Sequence, residues 1–207
     1  MGDSHRGQGA AVTSEGAAED ALNVLCNNFT VRNMRLNGNT TSAGLQLDSN
    51  TGSVIHTITV DHCHFNGGLY GVESVGGSSF VCIKDSLFRF ILEAGGTAIT
   101  CTDISQTNPN VWEVFDNVFW ANENHIYFDN PNTPYSGSWH HNILHATYVP
   151  GGTVTQKLDL DVGGSNVIFG NFLGGTFSNA GGYVGGATDE WYGNHCSAGL
   201  DSVADPA

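Results

Sequence analysis

One eight-residue pattern occurs seven times in this chain: FTVRNMRL at 29–36, ITVDHCHF at 58–65, VCIKDSLF at 81–88, WEVFDNVF at 112–119, GSWHHNIL at 137–144, NVIFGNFL at 166–173 and DEWYGNHC at 189–196. Each copy places apolar residues at alternate positions, then a polar pair, then an apolar residue three beyond the first of that pair. With that first polar residue as anchor, the copies fall at positions 33, 62, 85, 116, 141, 170 and 193, in uneven steps averaging about 27 residues. Turns of variable length between strands of constant pattern are what a solenoid requires, because its strands must stack while its corners need not match. A second strand-like segment precedes each copy, at 22–24, 45–47, 72–75, 99–101, 126–128, 158–160 and 183–184.

The pattern predicts columns of equivalent side chains. Val31, Val60, Ile83, Val114, Trp139, Ile168 and Trp191 occupy one inward position; Leu36, Phe65, Phe88, Phe119, Leu144, Leu173 and Cys196 occupy another. Between the two, the apolar parity slips by one residue, so the chain must bend at the anchor. Asn117, Asn142, Asn171 and Asn194 follow the anchor in four successive copies, and amides about 4.8 Å apart can hydrogen-bond along the stack. The expected fold is all-β: a right-handed parallel β-helix, a single-stranded solenoid of about seven coils with an inward asparagine ladder. An antiparallel sandwich also has short strands and glycine-rich turns, but its hairpins would not repeat one motif at this step. The expected organisation is an N-terminal cap or partial first coil over 1–20, the helix over 21–197 and a tail over 198–207. Residues 14–25 suit a capping helix or an opening strand equally.

VFDNVF at 114–119 and GNHC at 193–196 resemble coil motifs of the pectin-lyase-like superfamily of right-handed β-helix proteins. GDSHRG at 2–7 and GNHCSAGLD at 193–201 resemble β-helix virion proteins of environmental, marine-type bacteriophages. That superfamily holds pectate lyases, polygalacturonases and tailspike depolymerases as well as non-catalytic virion proteins and adhesins, so the fold does not settle function. The resemblance implies a phage-type virion structural protein (a capsid decoration, fibre or tailspike module), a homotrimer found in the virion or outside the cell. A polysaccharide lyase or glycoside hydrolase is the alternative activity, and a carbohydrate-binding surface module is a third reading.

Six Lys and Arg against twenty Asp and Glu give a formal net charge of −14, which repels nucleic acid and anionic membranes. No apolar run is long enough to span a bilayer, and no leader pattern opens the sequence as written. The five cysteines have no CxxC spacing and are expected mostly as small buried apolar residues.

Catalytic chemistry is thinly supported. Glu73, Asp103 and Asp129 on neighbouring coils could assemble a hydrolase site. Asp159 and Asp161, two residues apart and beside Lys157, could serve a Ca²⁺-dependent lyase. The polygalacturonase motif set is missing. Nine histidines are present, but their close pairs lack a converging third ligand and fit turn positions, so no metal site is expected. No cofactor is expected; Ca²⁺ is the one cation the acidity could collect.

The outward positions are more informative. Immediately before the anchors stand Arg32, Asp61 and Lys84, alternating in sign, then Phe115, His140, Phe169 and Tyr192. Leu87, Val118, Ile143 and Phe172 also face outward by parity. So much contiguous apolar surface requires a cover: a neighbouring subunit, a polysaccharide, other virion proteins, or loops such as 106–110 and 130–136 of the same chain.

Overall fold

The computed structural model describes residues 10–14, 16, 19–48, 55–76, 78–101, 110–128, 135–146, 156–159, 166–175, 183–184 and 190–196. Every strand pairing in them is parallel, each sheet takes every third strand of the chain, and no helix occurs among the described residues. The first sheet stacks Ala11–Thr13, Arg35–Asn37, His64–Asn66, Leu87–Arg89, Val118–Trp120, Ile143–Ala146, Phe172–Gly175 and His195–Cys196. The second stacks Leu22–Val24, Ala43–Asp48, Tyr70–Val75, Thr97–Cys101, Asn124–Phe128, Gln156–Asp159 and Tyr183–Val184. The third stacks Phe29–Arg32, Ile55–Asp61, Ser78–Lys84, Asn110–Phe115, Tyr135–His140, Val167–Phe169 and Glu190–Tyr192.

The chain is therefore a parallel β-helix. Two of its sheets have the seven strands expected; the first has an eighth, Ala11–Thr13, which adds to Arg35–Asn37. Of the two options for 14–25, the strand is the one observed, at Leu22–Val24.

The parity slip has a definite backbone cause. All seven anchors adopt positive φ: Asn33 at 55°, His62 at 52°, Asp85 at 51°, Asp116 at 55°, His141 at 54°, Gly170 at 63° and Gly193 at 62°. One left-handed residue turns the chain from the third sheet into the first and flips the inward face. Asn, Asp, His and Gly stand there because they are the residues that tolerate this region. A second corner of the same kind follows the first sheet at Gly67, Phe90 and Ala121, with φ of 70°, 58° and 52°.

From Asn117 onward, the residue after each anchor points inward and closes the hydrogen bonding of the bend. Asn117 Nδ2 donates to Asn142 Oδ1 at 3.1 Å, Asn142 Nδ2 to Asn171 Oδ1 at 3.1 Å, and Asn171 Nδ2 to Asn194 Oδ1 at 2.9 Å. Each Nδ2 also donates to a carbonyl one coil back, those of Ile83, Val114, Trp139 and Ile168. Ser86 and Cys63 extend the column toward the N-terminus: the Ser86 N–H donates to Asn117 Oδ1 and the Cys63 N–H to Ser86 Oγ.

Apolar columns fill the remaining interior. Phe65, Phe88 and Phe119 stack with centroids 4.6 and 4.9 Å apart and nearly parallel planes, each ring fully buried. Val60, Ile83 and Val114 share one register and are buried, as are Leu45, Val72, Ile99 and Ile126 on the second sheet. Trp112 and Trp139 sit edge-to-face on either side of Phe128, and Gly137 leaves the space into which the Trp139 indole fits. Burial of each such side chain is worth about 1.5–3 kcal/mol, so the stability is spread along the stack. Of the cysteines whose side chains are described, Cys63 and Cys101 are buried as expected, Cys82 is half-buried and Cys26 is exposed.

Candidate functional site

The bends join the outward faces of the first and third sheets into one flank. Register places Arg32, Asp61, Lys84, Phe115, His140, Phe169 and Tyr192 in a single column of the third sheet. Across the bend, the first sheet carries Arg35, His64, Leu87, Val118, Ile143, Phe172 and His195 in one column. Beside it runs a second column of Asn37, Asn66, Arg89, Trp120 and His145.

The lower coils of this flank are aromatic. Phe115 stacks on His140 at 5.0 Å, His140 on Phe169 at 4.6 Å and Phe169 on Tyr192 at 5.2 Å, all within 12° of parallel. Trp120 stacks on His145 at 4.8 Å, and Phe172 on His195 at 5.2 Å. Coil spacing imposes this geometry, because equivalent side chains repeat at the distance of ring contact. The consequence is chemical: the faces of His140 and Phe169 are occupied by their neighbours, and the flank presents ring edges. Trp120, Ile143, Phe172 and Tyr192 remain 41, 43, 36 and 52% exposed, while Val118, Phe115, His140 and Phe169 are half-buried.

His140 meets two polar neighbours. Its Nδ1 lies 3.0 Å from His141 Nδ1, so one ring donates to the other, and its Nε2 lies 3.8 Å from Glu113 Oε1. Burial, and then the neighbouring His141, hold its pKa below the usual histidine value against the pull of Glu113 and Asp116.

On the upper coils, the expected sign alternation is a closed network. Arg32 Nε stands 2.9 Å from Asp61 Oδ2, Lys84 Nζ stands 4.0 Å from the same oxygen, and His62 Nδ1 bonds Oδ1. Asp61 was expected to be exposed by parity, but its carboxylate is only 7% accessible, because three side chains converge over it. Asp61, His62 and Asp85 bring ligand atoms within 4.8 Å of one another, a grouping that could hold a metal ion and that sequence spacing did not reveal. Two cations already neutralise Asp61, so the group is balanced without one.

The opposite face, on the second sheet, carries Glu73. Asn23 Nδ2 donates to Gln46 Oε1 at 3.1 Å, and Gln46 Nε2 donates to Glu73 Oε2 at 3.0 Å. Burial raises the Glu73 pKa, and Asp20 and Asp48 raise it further against the opposing bond from Gln46. Register puts Glu73, Thr100, Tyr127 and Asp159 in one column. Glu73 and Asp159 are thus three coils apart, about 14 Å along the stack, too far for a paired-carboxylate glycosidase. Asp103, Asp129 and Asp161 lie outside the described residues, as does the side chain of Asp159.

No helix among the described residues is long and apolar enough to cross a membrane. Comparison with protein-family models, curated proteins and solved structures finds no match to this chain. What the structure establishes is the parallel β-helix fold itself.

Proposed function

We propose that this chain is a non-catalytic structural module of a phage-type virion, a decoration, fibre or tailspike element. In this reading it assembles as a homotrimer through the aromatic flank and gives a rigid, adhesive surface. The reading extends the resemblance to pectin-lyase-like β-helices and to phage virion proteins. One observation carries it: the ring columns Phe115–His140–Phe169–Tyr192 and Phe172–His195 show edges rather than faces beside exposed Trp120 and Ile143. Sugar rings stack on aromatic faces, and both faces of His140 and of Phe169 are occupied within the column. A ridged apolar strip instead suits packing against protein, and cyclic symmetry would bury the same strip on every copy.

Sedimentation equilibrium tests the assembly. The wild-type protein is expected at about 66 kDa, three times the chain mass of 21.9 kDa, and Phe115→Ser/Phe169→Ser at the mass of one chain. A wild-type monomer at micromolar concentration, or an unchanged mass for the double variant, contradicts it.

The enzyme reading draws support from a single group, Glu73, whose raised pKa suits a proton donor. Under that reading the protein depolymerises an acidic polysaccharide and Glu73→Gln abolishes the activity. Under the structural reading, a panel of polysaccharides is left intact.

A further inference from the structure

The flank changes character along its length. On three successive coils above the aromatic columns, the outward pairs of the first sheet are Arg35 and Asn37, His64 and Asn66, and Leu87 and Arg89. Arg35 Nε donates to Asn37 Oδ1 at 3.2 Å, and Asn37 Nδ2 donates on to Thr13 Oγ1 at 3.0 Å. Arg89 Nε donates to Asn66 Oδ1 at 3.1 Å, and its guanidinium carbon lies 5.5 Å from the Phe90 ring centroid. Each guanidinium is therefore oriented through Nε, leaving its terminal NH₂ groups for something else. Among the described residues, the ion pairs of this flank gather Arg32 and Lys84 on Asp61, whereas Arg35 and Arg89 face no carboxylate. Two fixed guanidiniums without a carboxylate partner among the described residues are conspicuous in a chain of net charge −14.

His64 stands between them. Its Nε2 is buried and has no hydrogen-bond partner. Burial, then the charges of Arg89 and Arg35, push its pKa down to about 4. Both guanidiniums thus bear on this imidazole, which is neutral at pH 7; its Nε2 is covered in the unliganded chain and becomes a third donor only once the side chains over it part.

We propose that Arg35, His64 and Arg89 form a binding site for one tetrahedral oxyanion, a sulfate or phosphate group. The three donors stand on three successive coils. A planar carboxylate is satisfied by one guanidinium fork, whereas a tetrahedral group has terminal oxygens enough for three separate donors. The acidity of the rest of the chain repels a densely charged polyanion, so the group is a free ion or an isolated ester carried by a partner molecule. The site lies above the aromatic columns and does not depend on self-association there.

The test is a titration of the full-length protein at pH 7, following the Nε–H NMR signals of Arg35 and Arg89. Sodium sulfate, inorganic phosphate, sodium acetate and sodium chloride are compared at matched ionic strength. Sulfate and phosphate are expected to move both signals saturably, and acetate and chloride to leave them in place. Arg35→Gln and Arg89→Gln should each weaken binding about tenfold with the melting curve unchanged. A bound dianion should also raise the pKa of His64, a response that the Arg35→Gln/Arg89→Gln double variant loses. Lightly sulfated dextran against plain dextran forms a second arm: saturation by the inorganic ion indicates a free ligand, and saturation by the sulfated polymer alone indicates a carried ester. Equal shifts with chloride, saturable binding of acetate, or full sulfate binding by the double variant would each overturn the assignment.

Discussion

Oδ1 of Asn142 accepts two hydrogens from Asn117, one from the backbone N–H at 3.1 Å and one from the side-chain amide at 3.1 Å. The Nδ2 of Asn142 donates in turn to the Val114 carbonyl and to Asn171 Oδ1. One side chain therefore satisfies the bends of three coils. Asn142→Ala should cost about 3 kcal/mol, because it leaves several buried polar groups without partners at once. Asn142→Asp should be as damaging, since a carboxylate has no hydrogens for Val114 or Asn171. Urea denaturation of the two variants checks both.

The anchors test the backbone argument separately. Asp116, at φ 55°, is exposed, so its replacement reports conformation rather than packing. Asp116→Gly should be neutral or slightly stabilising, matching the glycines already used at 170 and 193. Asp116→Val should lose about 1–2 kcal/mol, because a β-branched residue resists that conformation. Thermal unfolding midpoints distinguish the two.

Gly71, on the second sheet, has no room for a side chain. A Cβ added there would lie 2.5 Å from the Ala98 carbonyl oxygen and 2.9 Å from Phe88 Cδ1. Gly71→Ala should destabilise by about 1–3 kcal/mol, through displacement of backbone that cannot yield cheaply. A larger unfolded fraction in urea at unchanged m-value is the expected reading.

The pH dependence follows from His64. Its folded pKa of about 4 lies below its unfolded value near 6.5, so the unfolded chain binds more protons between those limits. The stability tied to this group is fully present above the unfolded value and is lost as pH falls through the folded one. Compared with the wild type, His64→Gln should therefore lose less stability between pH 6.5 and 4. Denaturation midpoints at pH 7, 5.5 and 4.5 give the comparison.

Much of this architecture was legible in the chain itself. The seven anchors, the two inward columns and the four-residue asparagine ladder are periodic in residue type, and periodicity survives uneven loops. Ser86 and Cys63 continue the ladder but do not look like asparagine, so the pattern concealed them. Parity located the flank but not how its members meet. It placed Asp61 outward, yet convergence of Arg32, Lys84 and His62 buries it. It lined up Phe115, His140, Phe169 and Tyr192, yet only geometry shows their faces turned on one another. Arg35 and Arg89 stand 54 residues apart in sequence and come near each other and His64 only because their three coils stack.

Both the flank and the oxyanion site presuppose equivalent residues from successive coils lying side by side in parallel. Nuclear Overhauser spectra measure this directly on Val60, Ile83 and Val114. The account predicts Hα-to-amide contacts in parallel register from Val60 to Ile83 and from Ile83 to Val114. Strong Hα-to-Hα contacts between these strands, the mark of antiparallel hairpins, would contradict it.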